Sequence, residues 1–171
     1  GDVYKRQPGD RFSNDEKIAA LMDWTGDSYK SINGYLFGGR NPSKDVIHQV
    51  ECIDEAISDH ITRERFTVDR QMRLSTFHVN DMESLFDLNT GRTFEHIGYM
   101  ATSIKEGGID VDGEDRIATR ILVPPGSAGV YVEPITQHPG EYEILLPRGR
   151  ALRFEGLGAS DGRPIVYLRL L

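Results

Sequence analysis

Two glutamates one residue apart, Glu141 and Glu143, open the apolar run Ile144-Leu145-Leu146 directly after the turn Pro139-Gly140. On a strand, residues two apart share a face, and their carbons lie roughly 6–7 Å apart along the chain. Like charges at that spacing raise at least one pKa and suit carboxylate chemistry. A solvated acidic strand end is the plain alternative. Other chemistries find less support. The single cysteine, Cys52, excludes an intrachain disulfide and a multi-cysteine zinc site. It falls beside the apolar stripe of a predicted helix, where a buried, inert thiol is expected. His48, His60, His78, His96 and His138 show no metal-ligand pairing, so no metal is expected. No Gly-x-Ser-x-Gly elbow nominates a serine nucleophile. The acidic stretch 107–115 has the composition of a calcium loop without its ligand spacing or closing Glu, and reads as a solvated loop. Gly156-Leu157-Gly158 has no helix after it and reads as a hairpin turn, not a dinucleotide fingerprint.

These glutamates need a body to hold them. A chain of 171 residues suffices for one compact domain with a real core. Hydrophobic residues at 38% and charged residues at 27% describe a globular chain, not a disordered one. A net charge of −7 opposes a nucleic-acid partner, which needs a basic surface. No apolar run approaches the roughly 20 residues that span a bilayer, so a soluble chain without a membrane partner is expected. Residues 1–7 resemble translated sequencing-adapter read-through and carry no apolar signal core. Residues 1–12 are therefore expected to lie outside the fold, as a disordered or artefactual segment, with one domain over 13–171.

Helices come first. Ser13 and Glu16 form a capping-box pattern ahead of Ile18, Leu21 and Met22. Residues 28–37 predict a second helix, stopped by Gly38-Gly39. Residues 41–60 predict a third, with Pro42 in its first turn and Val46, Val50, Ile53 and Ile57 as its stripe. Alternation then begins at Phe66, Val68 and Arg70. A short helix is expected over 82–88, capped by Asn80 or Asp81. Strands are expected over 98–104, 117–123, 130–132, 141–147, 151–154 and 164–171, with turns at 124–126, 139–140 and 156–162. Helices followed by strands argue for an α+β fold with antiparallel sheets.

Several segments then stand in a particular order. Trp24-Thr25-Gly26-Asp27-Ser28-Tyr29-Lys30-Ser31-Ile32-Asn33-Gly34-Tyr35-Leu36 comes first, then Phe66-Thr67-Val68-Asp69-Arg70. Gly98-Tyr99-Met100-Ala101-Thr102-Ser103 follows, and then Arg120-Ile121-Leu122-Val123-Pro124-Pro125-Gly126. Gly140-Glu141-Tyr142-Glu143-Ile144-Leu145-Leu146 closes the series. Over about residues 15–171 this series resembles the bacterial ADP-ribosyltransferase exoenzyme family. The likeness is to its Arg-Ser-Glu class and Glu-x-Glu type, as in the catalytic domains of actin-modifying binary toxins.

The resemblance implies helices packed on two antiparallel sheets, with an NAD-binding cleft between them. It implies transfer of ADP-ribose from NAD to a protein side chain, with release of nicotinamide. The Glu-x-Glu form implies arginine as acceptor; a Gln-x-Glu form goes with asparagine. Glu143 would stabilise the positive charge that develops on the ribose, as carboxylates do in glycoside hydrolysis. Glu141 would orient the acceptor guanidinium, a poor nucleophile with a pKa above ~12. Arg70 would hold the diphosphate by its guanidinium fork, with Ser103 and Thr102 beside it. Arg116 stands where the family often has a second phosphate contact; a surface arginine is the plain alternative. The loop 133–140, with Gln137 and His138, would recognise the acceptor. One position departs: Ala101 replaces the first Ser of the family's Ser-Thr-Ser strand.

By the same resemblance the partner is a target protein bearing an arginine, and an immunity protein is a further partner. A toxin, effector or phage-associated domain is implied, secreted or delivered into a target-cell cytosol. Other readings stay open. Water as acceptor would make the chain an NAD glycohydrolase. A glycosidase would use both glutamates, but both leave one face of one strand, whereas such enzymes flank the sugar bond. A non-catalytic binding module of the same fold would explain Ala101.

Overall fold

The structure, a computed structural model, describes residues 9–39, 41–109 and 115–171. Residues 1–8, and most of the acidic stretch that has the composition of a calcium loop, lie outside the described residues. Helix α1 (Asn14–Asp23) starts where its capping box dictates. Ser13 Oγ accepts from the Glu16 N–H at 3.2 Å, and the Glu16 carboxylate accepts from the Ser13 N–H at 2.7 Å. A π-helical turn (Trp24–Ser28), with non-helical dihedrals at Gly26, joins it to α2 (Tyr29–Leu36). Helix α3 (Lys44–Ser58) begins later than the sequence suggests, because the Ser43 side chain caps it through the Val46 N–H. Pro42 therefore precedes the helix instead of opening it.

Residues 10–12, set apart on sequence grounds, are tied to the helices. Phe12 is buried against His48, and the Arg11 N–H bonds Glu55. Lys17 of α1 is fully buried, with its ammonium 2.7 Å from Asp10 and 2.6 Å from Asp59. A buried ammonium needs such partners, and these tie α1, α3 and the preceding segment together.

Eight strands follow: β1 (Phe66–Arg73), β2 (Thr93–His96), β3 (Met100–Ser103), β4 (Arg116–Val123), β5 (Val130–Tyr131), β6 (Glu143–Leu146), β7 (Arg150–Ser160) and β8 (Arg163–Leu170). Helix α4 (Met82–Leu85) lies between β1 and β2, capped by Asp81. The fold is α+β as expected, but the two sheets form one hydrogen-bonded sheet, in the order β2-β7-β8-β4-β1-β3-β6-β5. Its halves meet at a single register pair, Asp69↔Ser103. All pairings are antiparallel except β4 with β8. The expected turn over 156–162 is mostly strand: β7 passes a bulge between Phe154 and Gly156 and turns only at Asp161-Gly162. Strand β2 escapes the sequence pattern because only Phe94 of its four residues is buried.

Two cores pack on the sheet, and the short strands contribute to both, Met100 and Leu146 to one and Leu145 to the other. Val68, Phe77, Ile121, Leu152 and Leu168 belong to the cluster on the long strands. Leu21, Trp24, Ile32, Ile53, Tyr99 and Leu145 belong to the cluster between the helices and the short strands. Cys52 is fully buried there, and burial pushes its thiol up to about 11, as an inert thiol requires. Among the described residues, no helix is long and apolar enough to cross a membrane.

Candidate active site

Glu143 begins β6 and pairs with Ser103 at the end of β3. Its side chain is buried, at 5% exposure, and accepts a hydrogen bond from the Trp24 indole N–H at 3.2 Å. Burial first, and then the nearby Glu141 charge, push its carboxyl up to about 7; Trp24 and Arg70 pull the other way. Glu141 lies before the strand. The residue between them, Tyr142, has φ of 50°, a left-handed conformation unusual for a side-chain-bearing residue. The two carboxylates are therefore neighbours through a turn and not, as the spacing suggests, through one strand face. Three bonds made by side chains hold this turn. The Ser103 hydroxyl donates to the Glu141 carbonyl at 2.5 Å. The Glu133 carboxylate accepts from the Gly140 and Tyr142 N–H groups at 2.6 and 2.9 Å.

Arg70 stands in the middle of β1. Its backbone carbonyl accepts from the Thr119 hydroxyl at 2.8 Å, and its Nη1 donates to the Ala101 carbonyl at 2.7 Å. Its Nε is buried with no hydrogen-bond partner among the described residues. Burial, and then the Arg116 charge, bring its pKa down to about 10, so it remains a cation at neutral pH. A cation whose Nε donor is buried and idle fits an anionic oxygen. Arg70 also lines a cleft of about 830 Å³, together with Arg116, Asn33, Phe37 and His96. Glu143, Glu141 and Ser103 are not in its wall; Arg70 links the cleft to them.

A model of the ADP-ribosyltransferase exoenzyme family matches residues 2–164. The chain belongs to the ADP-ribosyltransferase exoenzyme family. The epidermal cell differentiation inhibitor of Staphylococcus aureus is 30% identical over 167 residues, covering 81% of this chain. The chain spans 66% of that relative's length. Two solved structures share the fold. Plx2a, an ADP-ribosyltransferase toxin from Paenibacillus larvae, superposes with a TM-score of 0.77 at 23% identity, over 91% of this chain and 86% of its own. C3stau2 from S. aureus with NAD superposes with a TM-score of 0.74 at 20% identity, over 94% and 88%.

For this family member, the structure gathers Arg70, Ser103, Glu141 and Glu143 around the seam between β1 and β3. It does not bring Thr102 with them. Thr102 is fully buried, and its hydroxyl donates to the Ile144 carbonyl at 2.7 Å, so the expected cofactor contact gives way to a tie between strands. Arg116 opens β4 and lines the cleft. Gln137 is turned inward instead of toward an acceptor. Its N–H bonds the Thr25 hydroxyl at 3.0 Å, and its side chain bonds the Met22 carbonyl at 2.9 Å. That amide lies where a Cβ on Gly26 would be, 2.7 Å from Nε2, so the π-helical turn needs glycine there. His138 is exposed on the same loop.

Sequence reasoning missed Trp24, Glu133 and His96. The lone Trp inside the helical signature was the signal for the first. The turn-holding role of Glu133 depends on contacts that no spacing encodes. His96 is held neutral, its pKa brought down to about 4 by burial and then by Arg70, while its Nδ1 lies 2.8 Å from the Gly98 carbonyl. Among the described residues, no group of three or more His, Cys, Asp or Glu could hold a metal.

Proposed function

We propose that this protein transfers ADP-ribose from NAD to an arginine side chain of a target protein and releases nicotinamide. The observation that carries the reading is a buried carboxylate, Glu143, near the half-buried Arg70, whose own Nε atom is buried without a partner among the described residues. NAD supplies the ADP-ribose and the nicotinamide leaving group. Arg70 binds a diphosphate oxygen through its fork, with Arg116 adding positive charge in the same cleft. Glu143, ionised, stabilises positive charge on the ribose as the C–N bond to nicotinamide breaks and nicotinamide departs with the bonding pair. Glu141 holds the acceptor guanidinium. A nitrogen of that group bonds the ribose carbon and gives up a proton, for which Glu141 is the nearby base. Ser103 and Glu133 keep Glu141 in place by fixing its turn. The presence of Glu at position 141, by family resemblance, supports arginine over asparagine.

Purified protein is incubated with biotin-labelled NAD and a cell lysate, and nicotinamide is measured in parallel. Labelled protein bands are expected, lost in both Glu143→Gln and Glu141→Gln. Nicotinamide release that survives Glu141→Gln without labelled bands would turn the reading to NAD hydrolysis. No release from folded wild-type protein would leave a binding module, with Ala101 as the lesion.

A further inference from the structure

We propose that Trp24 is a positioning residue for Glu143: its indole N–H fixes the carboxylate that the hydroxyls of β3 leave unheld. Every hydroxyl on β3 is committed elsewhere. Thr102 donates to the Ile144 carbonyl, and Ser103 donates to the Glu141 carbonyl. Ala101 has none to give. It pairs with Leu145 as Ser103 pairs with Glu143, so all four side chains share one face and Ala101 is a diagonal neighbour of Glu143. The Trp24 N–H, 3.2 Å from Glu143 Oε2, is the hydrogen-bond donor to that carboxylate among the described residues.

Trp24 is itself locked. Its ring sits edge-on to Tyr99 at 5.4 Å and to Tyr29 at 6.3 Å. The next residue, Thr25, donates to the Met22 carbonyl and accepts from the Gln137 N–H. The π-helical turn thus aims the indole, and the same turn anchors the loop that carries Glu133 and Gln137. The charged groups facing Glu143 are Arg70 from β1, Glu141 from its own turn and Glu133 from the preceding loop. A donor to the carboxylate favours its ionised form against the two acids.

The transferase reading gives this proposal its kinetic consequence, but its first test needs no turnover. The chain has one tryptophan, so one indole N–H signal appears in a ¹H–¹⁵N spectrum. Between about pH 5 and pH 9 that signal is expected to move with a midpoint near the Glu143 value of about 7. It should stop moving in Glu143→Gln. A signal indifferent to both pH and Glu143→Gln overturns the proposal. In Trp24→Phe, nicotinamide release is expected to fall about tenfold in kcat with little change in KM for NAD. The midpoint of its pH profile should rise by about one unit. Adding Ala101→Ser, which sets a hydroxyl at the diagonal position, should recover much of that loss. Should Trp24→Phe fail to fold, replacing the single tryptophan by benzothienylalanine removes the N–H and keeps the ring. A pH profile unchanged by that replacement also overturns the proposal. Wild-type protein that releases no nicotinamide defeats the transferase reading, and the indole titration then still decides the role of Trp24.

Discussion

The two halves of the sheet are built differently. From β2 to β1 the strands are mostly long, and β1 and β4 pair in register from Phe66↔Val123 to Arg73↔Arg116. From β3 to β5 the strands span only four, four and two residues. The helices cover that short half, and there lie a buried Glu143, a fully buried Lys17, a π-helical turn and a left-handed Tyr142. Regular pairing on one side leaves room for strain and buried charge on the other, which is where functional sites concentrate. The seam makes the contrast sharpest. Asp69 and Arg70 are consecutive, yet Asp69 is bonded through both oxygens by Arg120, at 2.8 and 3.0 Å, while Arg70 has no bonded carboxylate among the described residues. One charge serves the fold; its neighbour is the one that the proposed function assigns to a ligand.

Exchanging charges on the two sides should separate these roles. Glu143→Gln is expected to reduce nicotinamide release by about 10²–10³-fold, the scale seen when one preorganised electrostatic contact is lost. The same change should stabilise the fold. A carboxyl held at about 7 against its ordinary 4.5 takes up its proton more readily in the folded state, so folding weakens as pH rises from about 4.5 to about 7. Glu143→Gln should therefore gain about 3 kcal/mol at pH 8 and nothing below pH 4.5, by denaturant titration at the two pH values. At the seam, Arg70→Ala should weaken NAD binding about 10–100-fold in calorimetry with little loss of stability. Arg120→Met should do the reverse, costing about 2 kcal/mol of stability by leaving the buried Asp69 without its cation, with NAD affinity unchanged. If Arg120→Met instead weakens NAD binding as much as Arg70→Ala, the division of labour at the seam is wrong. The smallest effect belongs to the helical layer: Ser13→Ala removes the α1 cap and should cost about 1 kcal/mol.

Legibility in the sequence followed the same division. Local chemistry was readable: the Ser13–Glu16 box, the stripe of α3 and the Asp81 cap each appear in place. Glu141 and Glu143 stand out by their spacing, Arg70 and Ser103 only by family resemblance, and the structure brings all four together across the seam. What the sequence hid was non-local or irregular. Alternation cannot reveal that Tyr142 takes a left-handed turn, so Glu141 and Glu143 were expected on one strand face. Thr102 and Ser103 look alike in sequence; only the pairing with β6 shows which hydroxyl ties strands and which holds the turn. Gln137 reads as an exposed loop amide until the π-helical turn that it clasps is known. Strand β7 was cut short because its glycines look like a turn, whereas a bulge lets the strand continue.

The place of β8 has a consequence for how the molecule comes into being. It is the eighth strand in chain order, yet it lies inside the sheet, parallel to β4 and antiparallel to β7. While the ribosome is still making the chain, β4 has an open flank, and so β1 and its Arg70 rest on an unfinished support. Pairings between residues so distant in sequence form slowly. The first helix can be wound and capped early, but the support behind β1 and Arg70 is complete only when residues 163–170 slot between β4 and β7. The sheet that carries the candidate site is thus finished only when nearly all of these residues have emerged.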